Sequence, residues 1–383
     1  MPLPDLNLHH HRRGEMSLPP EEVPEVPDAS GVDGSVGQED PKGSEKKHNH
    51  HGHHGHGNHE GQPHGHDGPK PKHTRKFGIS YSPYTAAGTC KSQDQVDQDV
   101  NAISANDGDS YAFIRIYGID CNQTAMVASA AQRHNMQVFA GLFDLTDFPH
   151  SLDTIIDAAH TICPTPNPEN PQGNDGWKTF HTITIGNELV QKHAATIPQV
   201  VDAIHAARSI LRDAGYKGPV VTVDTYPVLL AHPELCEASD YCATNCHVFF
   251  DATQTAQDAG VYARDVARRI SDATISGHGQ GNGDGKYDGS SGGKRKKTLI
   301  AESGWPHAGY PNGKAVPSME NQRVAIESLK KLFSNGPHSE EHDDQNTDAD
   351  GEDGLVLFTA FDDLWKEDGQ GTFGAEKFWG IHN

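Results

Sequence analysis

Eight short apolar runs alternating with amphipathic helical segments across residues 76–383 predict an α/β chain closed as a (β/α)8, or TIM, barrel. Two further observations support this. The runs are near-continuously apolar and rich in β-branched or aromatic residues, as strands buried on both faces should be. The segments between them repeat apolar residues at three- and four-residue spacing. A doubly wound open sheet is the competing architecture. It would carry a glycine-rich phosphate loop after its first strand, and Ser82-Pro-Tyr-Thr-Ala-Ala-Gly88 is not one.

The first run is Phe77 to Ser82 and the second Ala112 to Tyr117, followed by a helix over Ala125 to Ala131. The third, Gln137 to Phe143, leads into a helix over Leu152 to Ile162. After the fourth, His181 to Gly186, an apolar face forms from Val200, Val201, Ile204, Ala207, Ile210 and Leu211, with Gly215 as its stop. The fifth run is Pro219 to Asp224, and the connection from Val228 to Tyr241 has room only for a brief helix. The sixth, Tyr241 to Phe250, precedes a helix over Val261 to Ile270. The seventh, Thr298 to Glu302, precedes one over Val324 to Phe333, and Leu355 to Phe361 closes the set.

Composition locates what is not barrel. Hydrophobic residues make up 34% of the 383 and the formal net charge is −22, whereas a globular domain is roughly 45–50% apolar, glycine included. Residues 1–75 account for much of the difference: rich in Pro, Gly and His, they lack apolar periodicity and read as a disordered arm. Two polar stretches inside the domain, near 276–297 and 334–354, read as surface loop insertions. The second holds eight acids and no Lys or Arg, so acidity is mostly a loop property. The acidic balance argues against a nucleic-acid partner, and no stretch approaches the ~18 apolar residues of a membrane span. Ten histidines between His48 and His73 could bind divalent metal weakly, but a solvated spacer is the expected role. Met1 to Ser30 offers no apolar core of the roughly 7–15 residues a secretory leader needs.

Six cysteines stand at 90, 121, 163, 236, 242 and 246, none in a CxxC pair. Cys242-Ala-Thr-Asn-Cys246-His247 lies in an apolar run, where buried cysteine is the expected reading, so no metal site and no cofactor are assigned. Cys90 follows the first strand and Cys121 the second. Adjacent strands place those loops side by side, so this pair is the first choice among the disulfides and Cys236–Cys246 the second. Asn122-Gln-Thr124 is a glycosylation sequon that opens a helix.

In a barrel the chemistry sits at the C-terminal strand ends. Glu188 closes the fourth run in Thr184-Ile-Gly-Asn-Glu188, and Glu302 closes the seventh in Leu299-Ile-Ala-Glu-Ser-Gly-Trp-Pro306. A single strand-end glutamate is more often a cap or half of an ion pair. Two on facing strands of one mouth can straddle a scissile bond, as glycoside hydrolysis requires.

Several motifs resemble glycoside hydrolase family 17, nearest its fungal cell-wall β-1,3-glucanases and glucanosyltransferases. They are Arg115-Ile-Tyr-Gly-Ile-Asp-Cys121, Thr184 to Glu188, Asn245-Cys-His-Val-Phe-Phe-Asp251 and Glu302-Ser-Gly-Trp-Pro306. Pro317 to Gln322, Phe361 to Trp365 and Thr372 to Ile381 extend the likeness over nearly all of 76–383. The resemblance implies a barrel that cleaves β-1,3-glucan with retention, with Glu188 as acid/base and Glu302 as nucleophile. Two carboxyls roughly 5–5.5 Å apart would share one proton. Asn187 is placed to bond a sugar 2-hydroxyl, and Arg115 to orient a catalytic glutamate. Tyr84, Tyr117, Phe249, Trp305 and Trp365 follow strand ends as candidate sugar platforms, core packing being the alternative for each. The resemblance also implies secretion to the cell wall, which makes an upstream leader an expectation. Two alternatives remain open: a transglycosylase, in which a sugar hydroxyl replaces water, and a non-catalytic glucan-binding wall protein. Retention of both glutamates argues against the latter.

Overall fold

The structure, a computed structural model, describes residues 77–105, 111–162, 176–276, 295–334 and 354–382. The arm over 1–75 with its histidine block, and most of both polar stretches, lie outside the described residues. Eight parallel strands close in sequence order into a barrel. They are β1 (Phe77–Ser80), β2 (Tyr111–Arg115), β3 (Gln137–Leu142), β4 (Phe180–Asn187), β5 (Val220–Thr225), β6 (Cys242–Asn245), β7 (Thr298–Ser303) and β8 (Leu355–Leu357). Around them stand α1 (Gln93–Ala105), α2 (Gln123–Arg133), α3 (Ser151–Thr161), α4 (Ile197–Asp213), α5 (Tyr226–Ala231), α6 (Glu234–Ala238), α7 (Ala259–Ser276) and α8 (Met319–Ser334). The (β/α)8 architecture is therefore present.

Two apolar layers follow from the alternation of side chains along each strand. One parity fills the barrel with Phe113, Phe139, Val221, Val223, Ala243, Leu299, Ala301 and Val356. The other packs outward under the helices, as Ile114, Val138, Ile183, Val220, Ile300 and Leu355 do. Helix α4 starts at a capping box, in which the Thr196 amide donates to Gln199 Oε1 at 2.8 Å. It stops before Gly215, whose φ of +96° an L-residue would resist.

The sixth and eighth strands are shorter than the apolar runs that announced them. The sixth run turns after Asn245 into a single 3-10 turn, Val248–Phe250. In the eighth, the regular strand ends at Leu357, although the Phe358 and Ala360 amides still donate to the Ser303 and Ser80 carbonyls at 2.9 Å, and the Phe358 ring lies 5.5 Å from that of Trp379. The short connection before β6 holds two brief helices, α5 and α6. Among the described residues no helix is long and apolar enough to cross a membrane.

Candidate active site

Both glutamates follow a break in strand alternation. On β7, Leu299 and Ala301 face the interior, so strict alternation would turn Glu302 out toward the helices. Pairing with β6 instead runs Ala243 to Leu299, Thr244 to Ile300, then Asn245 to Glu302. The extra residue is a bulge at Ala301, and it swings Glu302 inward. The Ala301 carbonyl accepts a hydrogen bond from Arg115 Nη1 at 2.7 Å. β4 repeats the device: Thr184 pairs with Val221, but Asn187 pairs with Val223. Gly186 lies in that break at φ +86°, and a Cβ there would meet Leu189 at 2.3 Å. Only glycine meets both demands without strain.

Arg115 organises the interior. Its Nη1 donates to Glu302 Oε1 at 2.9 Å and lies 3.2 Å from Asn245 Oδ1, while Nη2 donates to Asn187 Oδ1 at 2.7 Å. A guanidinium has no acceptor, so it fixes both amides oxygen-first. Asn245 is thereby left with its Nδ2 toward Glu188, donating to Oε1 at 2.8 Å. His247 Nε2 lies 2.8 Å from Glu302 Oε2, and its ring is held edge-on by Phe358 (4.9 Å) and Trp379 (5.0 Å). Burial pushes the Glu302 carboxyl up. Arg115, then His247, then the Tyr117 hydroxyl more than reverse this and bring its pKa down to about 2. The Tyr117 phenol is raised well above its ordinary value, by burial first and the Glu302 charge second, so it stays a neutral hydroxyl.

Glu188 lies just past β4 with φ at +59°, the left-handed region that non-glycine residues seldom adopt. Its amide donates to the Val223 carbonyl at 2.8 Å. Lys192 Nζ lies 3.1 Å from Glu188 Oε2, donates to the Asn187 carbonyl at 3.2 Å, and stands 4.8 Å from the centre of the Phe143 ring. Glu188 and Glu302 thus share one hydrogen-bonded network through Asn245, Asn187 and Arg115.

The structure brings Glu188, Glu302, Arg115, Tyr117 and Asn187 together. Arg115 is fully buried and touches side chains rather than an open surface, which makes it an organiser of the site and not a sugar contact. Tyr84 and Trp365 form a pair at the rim, ring centres 4.9 Å apart, with the Tyr84 hydroxyl donating to Asp120 at 2.7 Å. Phe249 and Trp305 do not join the site as open rings. Both are 0% exposed: Phe249 packs on Trp305, Phe373 and Trp379, and Trp305 Nε1 donates to the Val316 carbonyl. The protein's own aromatics already cover the faces a sugar would need.

Sequence reasoning passed over Asn245 and His247 as site residues, although both lie in a matched motif. It also passed over Lys192, which four-residue spacing from Glu188 could have flagged. At this end of the barrel the exposed rings among the described residues are Phe143, Phe250 and Tyr310. Cys90 and Cys121 are disulfide-bonded, with Cα atoms 5.3 Å apart. Cys236 bonds Cys242, not Cys246, which is free and buried. The chain re-enters the barrel at Cys242 directly after α6, whereas Cys246 lies four residues, roughly 13 Å, further along.

Comparison with known proteins places these features in a lineage. A BtgE/BtgC glycoside hydrolase domain model matches residues 78–380. The chain is 36% identical over 306 residues to the cell surface mannoprotein MP65 of Candida albicans, covering 80% of this chain and 66% of that protein. It is also 36% identical over 304 residues to the "Probable family 17 glucosidase SCW10" of Saccharomyces cerevisiae, covering 79% of this chain and 64% of that one. The chain therefore spans about two-thirds of the length of these curated relatives. Among solved structures, a family 17 β-1,3-glucanosyltransferase from Rhizomucor miehei shares the fold with a TM-score of 0.55. Its identity is 18%, and the match covers 80% of this chain and 92% of that one. With the family model spanning the whole barrel, the chain belongs to the BtgE/BtgC glycoside hydrolases of glycoside hydrolase family 17.

Proposed function

We propose that the protein is a retaining glycoside hydrolase acting on β-1,3-glucan, with Glu302 as nucleophile and Glu188 as acid/base. The observation that carries this reading is the contrast between the two carboxyls within one network. Glu302 is buried and held ionised by Arg115, while Glu188 is half-buried and partly accessible, its two oxygens facing Asn245 Nδ2 and Lys192 Nζ. In the first step a Glu302 oxygen bonds to the anomeric carbon as the glycosidic C–O bond breaks, and Glu188 gives its proton to the departing oxygen. In the second step water attacks that carbon, Glu188 takes the water proton, and the Glu302–carbon bond breaks to restore the carboxylate.

Arg115 favours both ends of this cycle. While Glu302 is esterified the guanidinium loses its partner, and the returning carboxylate restores the pair. Asn187 has its oxygen committed to Arg115, so Nδ2 is the group that can donate to a sugar 2-hydroxyl, a contact that strengthens in an oxocarbenium-like transition state. The cell-surface name of the Candida relative supports an extracellular, wall-associated setting with glucan as the partner.

Two measurements test the reading. Glu302→Gln should abolish turnover of laminari-oligosaccharides while the protein still folds, at a stability lowered by the loss of the buried Arg115 pair, and substantial residual turnover would overturn the reading. Product analysis with a defined laminari-oligosaccharide separates outcomes: shorter sugars alone mean hydrolysis, and products longer than the substrate mean glucanosyl transfer.

A further inference from the structure

The segment that carries Glu188 is not part of a helix. α4 begins only at Ile197, and the residues between make tight turns: the Lys192 amide bonds the Glu188 carbonyl at 3.0 Å and the Ala194 amide bonds the Leu189 carbonyl at 2.8 Å. A turn of this kind, starting from a left-handed glutamate, needs an external anchor. The anchor comes from the neighbouring strand. Asp224 on β5 is 2% exposed, and its Oδ2 accepts the Val190 amide at 2.9 Å. Its Oδ1 accepts the Thr225 amide at 2.8 Å and lies 3.4 Å from the Gln191 amide. Thr225 Oγ1 adds a second tie, donating to Gln191 Oε1 at 3.0 Å. Burial raises the pKa of this carboxyl, and the Thr225, Val190 and Gln191 amides offset that cost only in part. Asp224 alternates with Val221 and Val223, which fill the barrel, so it faces away from the interior and touches the turn rather than a ligand.

We propose that Asp224 is the positioning residue of the Glu188 turn: by accepting the Val190 and Gln191 amides it holds Glu188 in its left-handed conformation and aims its carboxyl at the glycosidic oxygen. This rests on the reading of Glu188 as acid/base. Substituting Asn keeps the shape but replaces one acceptor oxygen with a donor, which faces a backbone amide and pushes it away.

The test compares two substrates. Natural β-1,3-glucan has a poor leaving group and needs the proton from Glu188. 2,4-Dinitrophenyl β-laminaribioside releases a phenolate that departs without one. For Asp224→Asn, kcat/KM on laminarin should fall about a hundredfold, the scale of a misplaced general acid. On the dinitrophenyl glycoside, where kcat/KM reports the first bond cleavage, it should stay within about twofold. An equal loss on both substrates, a loss on the aryl glycoside alone, or no loss on either would each overturn the proposal. Glu188→Gln is run alongside: if it fails to show this same substrate split, the acid/base reading itself falls, independently of Asp224. Should Asp224→Asn not fold, hydrogen exchange on the unaltered protein decides. The Val190 and Gln191 amides should exchange as slowly as those of β4 and β5, and exchange at the rate of open loop amides would overturn the proposal.

Discussion

Replacing Arg115 with Met should expose how much of the site depends on one guanidinium. In the parent, burial of Glu302 opposes ionisation, and Arg115 is the largest of the contacts that overcome it. The displacement of this carboxyl from 4.5 to about 2 corresponds to about 3 kcal/mol. The sign follows from the direction of that displacement. A folded-state pKa below the unfolded one gives stability that is fully present above about 4.5 and lost as pH falls through about 2. Arg115→Met keeps the burial and removes its main compensation, so the folded-state pKa moves up toward and past the ordinary value. Unfolding stability at neutral pH should drop by about 3–5 kcal/mol, as when one partner of a buried pair is deleted. That deficit should shrink on acidification as Glu302 takes up a proton. In pH–rate profiles on laminarin, kcat/KM of the variant should fall with acid at a higher pH than in the parent. Arg115→Lys separates charge from geometry, since an ammonium cannot span Glu302 and Asn187 together. It should leave the acid limb nearer that of the parent while still lowering the rate. A Met variant with the parent's rate and acid limb would refute the reasoning.

Three other substitutions probe the scaffold. Gly186→Ala meets both a positive φ and the Leu189 side chain, and should cost about 1–3 kcal/mol in thermal or urea unfolding and lower kcat by disturbing Asn187. Opening the Cys90–Cys121 bridge with paired serines frees a loop of 31-residue separation, for a loss of about 3–4 kcal/mol by chain-entropy reasoning, measured by urea titration. Phe249→Ala should cost about 3–5 kcal/mol of stability and leave KM for glucan unchanged. A raised KM with unaltered stability would instead mark Phe249 as a sugar contact.

The barrel was legible because buried parallel strands cannot hide their composition: each apolar run corresponds to a strand, and strand ends give the mouth. Position along the strand located Glu188 and Glu302, but their orientation was not legible. The same two-residue period that identifies β7 would turn Glu302 toward the helices, and only the bulge at Ala301 reverses it. Nothing in Leu299-Ile-Ala-Glu302 signals that extra residue, whereas Gly186 on β4 did offer a hint. Phe249 and Trp305 were misjudged for a related reason. Phe249 is covered by Phe373 and Trp379, far along the chain, and Trp305 in turn packs on Phe249, and burial imposed by a distant segment leaves no local trace. Lys192 and Asp224 were passed over because each acts on Glu188 through the fold of one turn, which has no periodicity to read.

The most direct measurement is covalent trapping. Incubation with an activated 2-deoxy-2-fluoro β-laminaribioside slows the second step more than the first, so a glycosyl–enzyme should accumulate. Intact mass should rise by one 2-deoxy-2-fluoro-laminaribiosyl unit, and peptide mapping should place the sugar on Glu302. An adduct on Glu188 or elsewhere, or turnover of natural β-1,3-glucan with inversion and no adduct, would contradict the account.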